Sequence, residues 1–243
     1  MLRFLVPLVV LVFAGGARTE PITLTAADGV KVFGEVWRAN GAHAPIILAF
    51  HQAGSSHAEY APLAPRLNEA GFTVLAVDQR SGGSEFGGTN KTVAALGRSA
   101  GYDAALPDFE AALQWGKAAA GGAPVLIWGS SYSAALVFLL AAQNPGVAAG
   151  VLAFSPGEYL ARDDAVRTAA PKISVPVFIT QASDREEIDQ ARAILESVAS
   201  ADKVQFIAVK GGVHGSATLR SDRNRAGAEE NWQAVLRFLK RFS

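Results

Sequence analysis

The sequence lacks cysteine altogether and lacks any excess of one charge sign. With no cysteine among its 243 residues, disulfide bonds, thiolate metal sites and a cysteine nucleophile are excluded. Lysine plus arginine number 22 and aspartate plus glutamate number 22, so the formal net charge at pH 7 is zero. Because nucleic acids and anionic membranes are bound through a basic field, this balance argues against both as partners.

Long hydrophobic runs are also scarce, and the longest lies at the N-terminus. The apolar run Phe4–Ala14 follows a short basic start and precedes three small residues. It is well short of the roughly 20 residues that a membrane-spanning helix needs. This order predicts a secretory signal peptide over residues 1–17, cleaved after Ala17. We therefore expect a secreted or periplasmic protein with no stable membrane anchor after cleavage, and a lipoprotein anchor is excluded because no cysteine follows.

The remaining chain, residues 18–243, alternates apolar runs with helical spacings. An Asp28–Gly29 turn between two β-rich stretches predicts an N-terminal antiparallel hairpin. Continuous apolar runs predict buried strands at 46–50, 72–77, 125–128, 150–154, 176–180 and 204–209. The alternation predicts a single α/β domain with a mostly parallel central sheet and helices on both faces. The irregular connection 155–173 is too short for a large lid, so we expect a minimal lid.

One tight turn carries the strongest chemical signal in the sequence. The pentapeptide Gly129-Ser130-Ser131-Tyr132-Ser133 lies between a predicted strand and an apolar helical run. A strand, a turn of small residues and a helix are the context of a nucleophile elbow, with Ser131 as the nucleophile. Ser133 replaces the second glycine of the usual motif, and serine is also small. The alternative interpretation is an ordinary strand-to-helix connection.

A serine nucleophile needs a base and an orienting acid. His214 follows the last predicted strand, and the carboxyl ends of parallel strands meet at one sheet edge. Asp184 follows the strand 176–180 directly, so the sequence predicts Asp184 as the acid and His214 as the base. A helix N-cap is the alternative role for Asp184, and a solvated loop position is the alternative for His214. Glu186, Glu187 and Asp189 are assigned to the solvated face of the following helix.

The order Ser131, Asp184, His214 resembles that of the α/β-hydrolase superfamily, and nearly all of the mature chain is similar to the small dienelactone-hydrolase-like esterases. Two further segments carry the resemblance: Asp78–Ser84 is similar to a D-x-R-G-x-G-x-S motif, and His51–Gly54 is similar to an H-G-x-G turn. The resemblance implies that the backbone N–H group of Ala53, or alternatively of Gln52, forms an oxyanion hole together with that of Tyr132. Dienelactone hydrolases are known for a cysteine nucleophile, so the serine here favours a general esterase.

These features predict a serine hydrolase that cleaves small-molecule carboxylic esters through an acyl-Ser131 intermediate, without a cofactor or a metal ion. We expect an open cleft walled by Tyr132, Phe154 and Tyr159. A serine peptidase or amidase of the same fold is one alternative, and a non-catalytic binding protein of that fold is another. The sequence determines neither the physiological substrate nor the oligomeric state.

Overall fold

The fold is organised around one eight-stranded sheet. The computed structural model describes residues 19–243, so the predicted signal peptide lies outside the described residues. The strands are β1 (Thr19–Thr25), β2 (Lys31–Trp37), β3 (Ile46–Phe50), β4 (Thr73–Asp78), β5 (Val125–Ser130), β6 (Gly150–Phe154), β7 (Val177–Thr180) and β8 (Lys203–Phe206). The helices are α1 (Ala64–Glu69), α2 (Lys91–Leu96), α3 (Leu106–Ala119), α4 (Tyr132–Gln143), α5 (Ala165–Ala169), α6 (Arg185–Ser197) and α7 (Ala228–Leu239).

The sheet is mostly parallel, as the alternation of strands and helices predicts. Its spatial order is β1-β2-β4-β3-β5-β6-β7-β8. The predicted hairpin β1–β2 is antiparallel and joins β4 in antiparallel register, whereas β4, β3 and β5 to β8 pair in parallel. The chain therefore has the α/β-hydrolase fold, in which the carboxyl ends of the parallel strands form one edge.

Two apolar layers cover the sheet, one on each face. Helices α3, α4, α5 and α6 pack on one face, and α1 and α7 pack on the other. On the α7 face, Trp128 and Phe154 stack with ring centroids 4.4 Å apart, and Phe178 continues the row towards Phe238. The strands between the layers, from β3 to β7, are buried throughout. This rigid double layer fixes the loops at the sheet edge.

Two elements differ from the sequence prediction. Strand β8 ends at Phe206, not at Val209, because its neighbour β7, the one strand that pairs with it within residues 19–243, ends at the paired residue Thr180. Beyond that point Val209 is 91% exposed. Helix α2 was not predicted, since its six residues bury a single side chain, Thr92, and show no apolar periodicity.

The connection 155–173 matches its prediction, because it contains only the short helix α5 and a following single turn. Within residues 19–243, no helix combines the length and the hydrophobicity needed to cross a membrane.

Candidate active site

Ser131 lies in a strained turn between β5 and α4. Its backbone has φ 58° and ψ −125°, a conformation that non-glycine residues rarely adopt and that costs about 1–3 kcal/mol. The Ser131 N–H donates to the Phe154 carbonyl at 2.8 Å, which ties the turn to β6. Backbone strain held by the surrounding structure is the geometry of a nucleophile elbow.

The small residues on either side of Ser131 allow helix α4 to begin against its own strand. A Cβ atom on Gly129 would lie 2.3 Å from the Ser133 carbonyl oxygen and 2.6 Å from the Ala134 nitrogen. Only glycine fits there. A serine fits at position 133, where its hydroxyl donates to the His51 carbonyl at 2.6 Å. The serine in the second glycine position therefore links the elbow to the loop after β3.

His214 is paired with Glu187 and not with Asp184. Glu187 Oε1 lies 2.6 Å from His214 Nδ1. Asp184 instead caps helix α6, where its Oδ1 accepts the Glu187 N–H at 2.9 Å. In the structure Asp184 therefore has the alternative role of helix N-cap, and Glu187, which the sequence assigned to the solvated face, contacts the predicted base.

The direction of helical side chains explains why Glu187 reaches the sheet edge. Side chains in a helix tilt towards its N-terminus. Glu187 is the third residue of α6, so its carboxylate points back over the first turn to the end of β7. There Glu187 Oε2 accepts the Ala182 N–H at 2.9 Å. The side chain is only 18% exposed and does not belong to the solvated face.

The electrostatics of the pair favour a charged acid and a basic imidazole. Burial raises the pKa of Glu187, but hydrogen bonds from His214, Ser155 and the Ala182 N–H outweigh it, so the pKa lies below its ordinary value. The hydrogen bond to Glu187 is the largest contribution to the pKa of His214 and raises it above the usual 6.5, against partial burial. Glu187 thus stabilises an imidazolium on His214.

The loop that carries His214 is fastened directly beside the elbow. The Gly215 N–H donates to Ser155 Oγ at 2.9 Å, and the Ser216 N–H donates to Ser130 Oγ, also at 2.9 Å. His214 is 41% exposed at its side chain, so it faces the open edge. Among the described residues, no hydrogen bond joins the Ser131 hydroxyl to His214.

In the loop after β3, the backbone N–H of Ala53 has no hydrogen-bond acceptor among the described residues, whereas that of Gln52 has one. The Gln52 N–H is occupied by Glu59 Oε2 at 2.7 Å. His51 Nδ1 lies 2.7 Å from the Gln52 carbonyl, and burial lowers the pKa of His51 to about 4, so the ring is neutral at pH 7. Because the peptide is trans, the Ala53 N–H points away from that carbonyl. Neither the Ala53 N–H nor the Tyr132 N–H has a hydrogen-bond acceptor within residues 19–243.

The predicted cleft walls divide into interior and surface residues. Phe154 is fully buried in the aromatic row beneath the sheet and cannot line a cleft. Tyr132 is 1% exposed, since it is covered by Tyr102 with ring centroids 4.3 Å apart. Tyr159 is partly exposed and donates its hydroxyl to the Ser155 carbonyl at 3.1 Å. Tyr102, which the sequence did not single out, therefore lies where Tyr132 was expected.

The Asp78–Ser84 segment has a structural role in this region. Arg80 binds buried Asp108 on α3 with Nη2 to Oδ1 at 2.6 Å and also contacts Asp28 in the hairpin turn. Asp78 Oδ1 accepts hydrogen bonds from the backbone N–H and from the ring Nδ1 of His57, each at 2.8 Å. Within the described part of the chain, no three histidine, aspartate or glutamate side chains are grouped to hold a metal ion.

Comparison with solved structures shows the same fold at low sequence identity. An esterase from Pyrococcus furiosus, Pf2001, superposes with a TM-score of 0.68 at 20% identity, covering 93% of each chain. A dienelactone hydrolase from Anabaena variabilis gives 0.70 at 18% identity, covering 93% of this chain and 98% of that one. An acylaminoacyl peptidase from Pyrococcus horikoshii gives 0.65 at 14% identity, with 96% of this chain matching 43% of the peptidase.

Comparison at the level of sequence families gives the assignment. Curated proteins yield no match to this chain. The model of the dienelactone hydrolase family, in contrast, matches residues 34–243. The matched region contains the strained Ser131, the His214–Glu187 pair and the free Ala53 N–H described above. The chain therefore belongs to the dienelactone hydrolase family, as the resemblance of its motifs predicts.

Proposed function

We propose that this protein is a serine hydrolase that cleaves carboxylic esters of small molecules through an acyl-Ser131 intermediate. The observation that carries the proposal is the strained backbone of Ser131 at the β5–α4 turn, beside a histidine that is oriented by a half-buried carboxylate. Membership in a hydrolase family supports it, and the esterases among the structural neighbours agree with it.

The mechanism assigns one role to each group. His214 Nε2 accepts the Ser131 hydroxyl proton while the oxygen attacks the ester carbonyl carbon. Glu187 holds the Nδ1–H tautomer of His214 and stabilises the imidazolium that forms. The Ala53 and Tyr132 N–H groups donate to the carbonyl oxygen as it becomes negative, an interaction worth about 3 kcal/mol per donor in a comparable site.

The second half of the reaction reverses these proton transfers. The His214 imidazolium gives its proton to the departing alkoxide, and the acyl group remains on Ser131. A water molecule then loses its proton to His214 and attacks the acyl carbon, which releases the acid and restores Ser131. Because His214 must be neutral to act as the base, activity falls as the pH drops below its raised pKa.

A peptidase or amidase activity is the second candidate, because the fold also matches an acylaminoacyl peptidase. The two activities share an acyl-enzyme and differ in the leaving group. Hydrolysis of a p-nitrophenyl ester and of an aminoacyl p-nitroanilide should therefore be measured side by side. We expect turnover of the ester, and faster hydrolysis of the anilide would favour the peptidase.

Labelling with a fluorophosphonate tests the nucleophile directly. The purified protein is treated with the probe, digested and mapped by mass spectrometry. We expect modification on the peptide that contains Ser131. Labelling should be slower when the reaction is carried out at a pH well below the pKa of His214. Labelling elsewhere, or none at all, would contradict the serine-hydrolase proposal and leave a binding role.

The proposed location of the enzyme is outside the cytoplasm, secreted or in a periplasm. The order of basic, apolar and small residues over 1–17 supports this location, because it is the order found in secretory signal peptides. Determining the N-terminus of the exported protein checks it, since cleavage after Ala17 leaves Arg18 as the first residue. A protein that retains Met1 in the exported fraction would contradict the cleavage.

A further inference from the structure

Glu59 is a fully buried carboxyl group beneath the candidate active site, and the mechanism above does not use it. It is 0% exposed. Its Oε2 accepts the Gln52 N–H at 2.7 Å, one residue before the proposed oxyanion donor Ala53. Its Oε1 is buried and has no hydrogen-bond partner of ordinary geometry in the described part of the chain. Burying a carboxyl group that has one oxygen without a hydrogen-bond partner lowers the stability of the fold.

Three loops of the site meet around this carboxyl group. Gln52 belongs to the loop after β3, and Ser130 immediately precedes the nucleophile. Ser130 Oγ accepts the Ser216 N–H from the loop of His214. A Cβ atom on Gly215 would lie 2.5 Å from Ser130 Oγ and 2.8 Å from Gln52 Oε1, so these groups are packed without spare space. Glu59 therefore binds the oxyanion loop through Gln52, and Gln52 and Ser130 in turn pack against the loop of the base.

The surroundings of Glu59 set its proton affinity. Burial is the largest contribution and raises its pKa to about 7, while the Ser130 hydroxyl and the Gln52 N–H lower it. Two charged groups face it from other loops: Glu85 raises the pKa and His214 lowers it. Tyr60 adjoins it but is held neutral, with its hydroxyl donated to the Phe50 carbonyl at 2.7 Å. Both forms of Glu59 are thus accessible near neutral pH.

We propose that Glu59 is a positioning residue that holds the oxyanion loop against the nucleophile elbow, and that it does so only as a carboxylate. The carboxylate accepts the Gln52 N–H in a charge-assisted bond, about twice as strong as a neutral one, and the nearby Ser130 hydroxyl favours its charged form. A proton on the carboxyl removes the charge that strengthens the bond to Gln52. The negative charge also favours an imidazolium on His214. This inference rests on the proposed serine-hydrolase function.

The test compares Glu59→Gln with Glu85→Gln. Both variants lose one negative charge next to Gln52, but Glu85 is exposed and its carboxylate accepts a hydrogen bond from the Gln52 side chain, at 3.3 Å, and not from the backbone of the oxyanion loop. We expect Glu59→Gln to lower kcat at pH 8 about tenfold or more with little change in KM, and Glu85→Gln to leave both near the parent values. Equal kcat in Glu59→Gln and the parent would overturn the proposal.

The pH profile separates positioning from mere structural support. The parent needs both His214 and Glu59 deprotonated, so kcat/KM should fall about hundredfold per pH unit at acidic pH, and Glu59→Gln should fall about tenfold per unit. Glu59→Asp keeps the charge and should keep the steeper fall. It also serves if the glutamine variant does not fold. If kcat/KM of the parent also falls only about tenfold per pH unit, a single proton controls the activity and the proposal is contradicted.

An infrared measurement keeps this test separate from the test of function. Acidification of the parent from pH 8 to pH 6 should produce the carbonyl band of a buried carboxylic acid, absent from Glu59→Gln. Because the folded pKa lies above the ordinary 4.5, stability falls as pH rises from about 4.5 to 7, and the glutamine variant should lose that contribution. These readouts need no substrate. If they succeed while no ester is hydrolysed, the proposed function fails; if they fail in an active esterase, only the role of Glu59 fails.

Discussion

Replacing Ser131 with alanine is expected to lower kcat for an ester substrate by about 10⁶-fold, the loss seen when a serine nucleophile is removed from an intact triad. In the proposed mechanism the Ser131 oxygen is the protein atom that forms a covalent bond with the substrate, so no neighbouring group can substitute for it. A residual rate of about 10³–10⁴ over water should remain from the oxyanion donors and substrate binding. Single-turnover and steady-state assays with a p-nitrophenyl ester measure both quantities.

Ser133→Ala is the matched control for that variant, because it removes a hydroxyl from the same turn. The Ser133 hydroxyl donates to the His51 carbonyl, which keeps a second donor, Gln79 Nε2, at 2.8 Å. We therefore expect a stability loss of about 1 kcal/mol with kcat within about tenfold of the parent. If Ser131→Ala keeps more than a hundredth of the parent rate, Ser131 is not the nucleophile.

The sequence predicts the fold well because the fold is encoded by local patterns. Buried strands such as Ile46–Phe50 are continuous apolar runs, and helices α6 and α7 show a clear apolar period. The elbow is visible for the same reason: Gly129 is required by a close approach of backbone atoms, and Ser131 lies at a fixed distance along the chain from it. Short-range requirements of this kind leave a residue-level signal.

The choice of acid could not be made from the same patterns. Asp184 and Glu187 both follow β7 and are three positions apart in the sequence. Which carboxylate contacts His214 depends on where α6 begins. The side chain of an N-cap residue binds the first turn of its own helix, whereas the side chain of the third residue points back towards the sheet. The spacing D-x-x-E at a helix start did carry a signal, because it resembles a capping box. Glu59 and Tyr102 carry none, since their burial and stacking arise only from tertiary packing.

Glu187→Gln is expected to lower kcat by about 10³–10⁴-fold, whereas Asp184→Asn should stay within a few-fold of the parent. The amide of glutamine presents a donor to His214 Nδ1, which favours the wrong imidazole tautomer, and a comparable change in a serine protease costs about 10⁴ in kcat. Asparagine caps a helix about as well as aspartate, so Asp184→Asn keeps α6 and the position of Glu187. Parallel kcat measurements on the two variants decide between the carboxylates.

The acid limb of the pH profile gives this comparison an independent readout. The Glu187 hydrogen bond is the largest contribution that raises the pKa of His214, so its removal in Glu187→Gln should move the acid limb of kcat/KM to lower pH. Asp184 acts on His214 only weakly and through space, and Asp184→Asn should leave the limb where it is. Circular dichroism of both variants controls for loss of α6. A large kcat loss and a shifted limb in Asp184→Asn, with neither in Glu187→Gln, would return the acid role to Asp184, because only direct contact with the imidazole produces both effects.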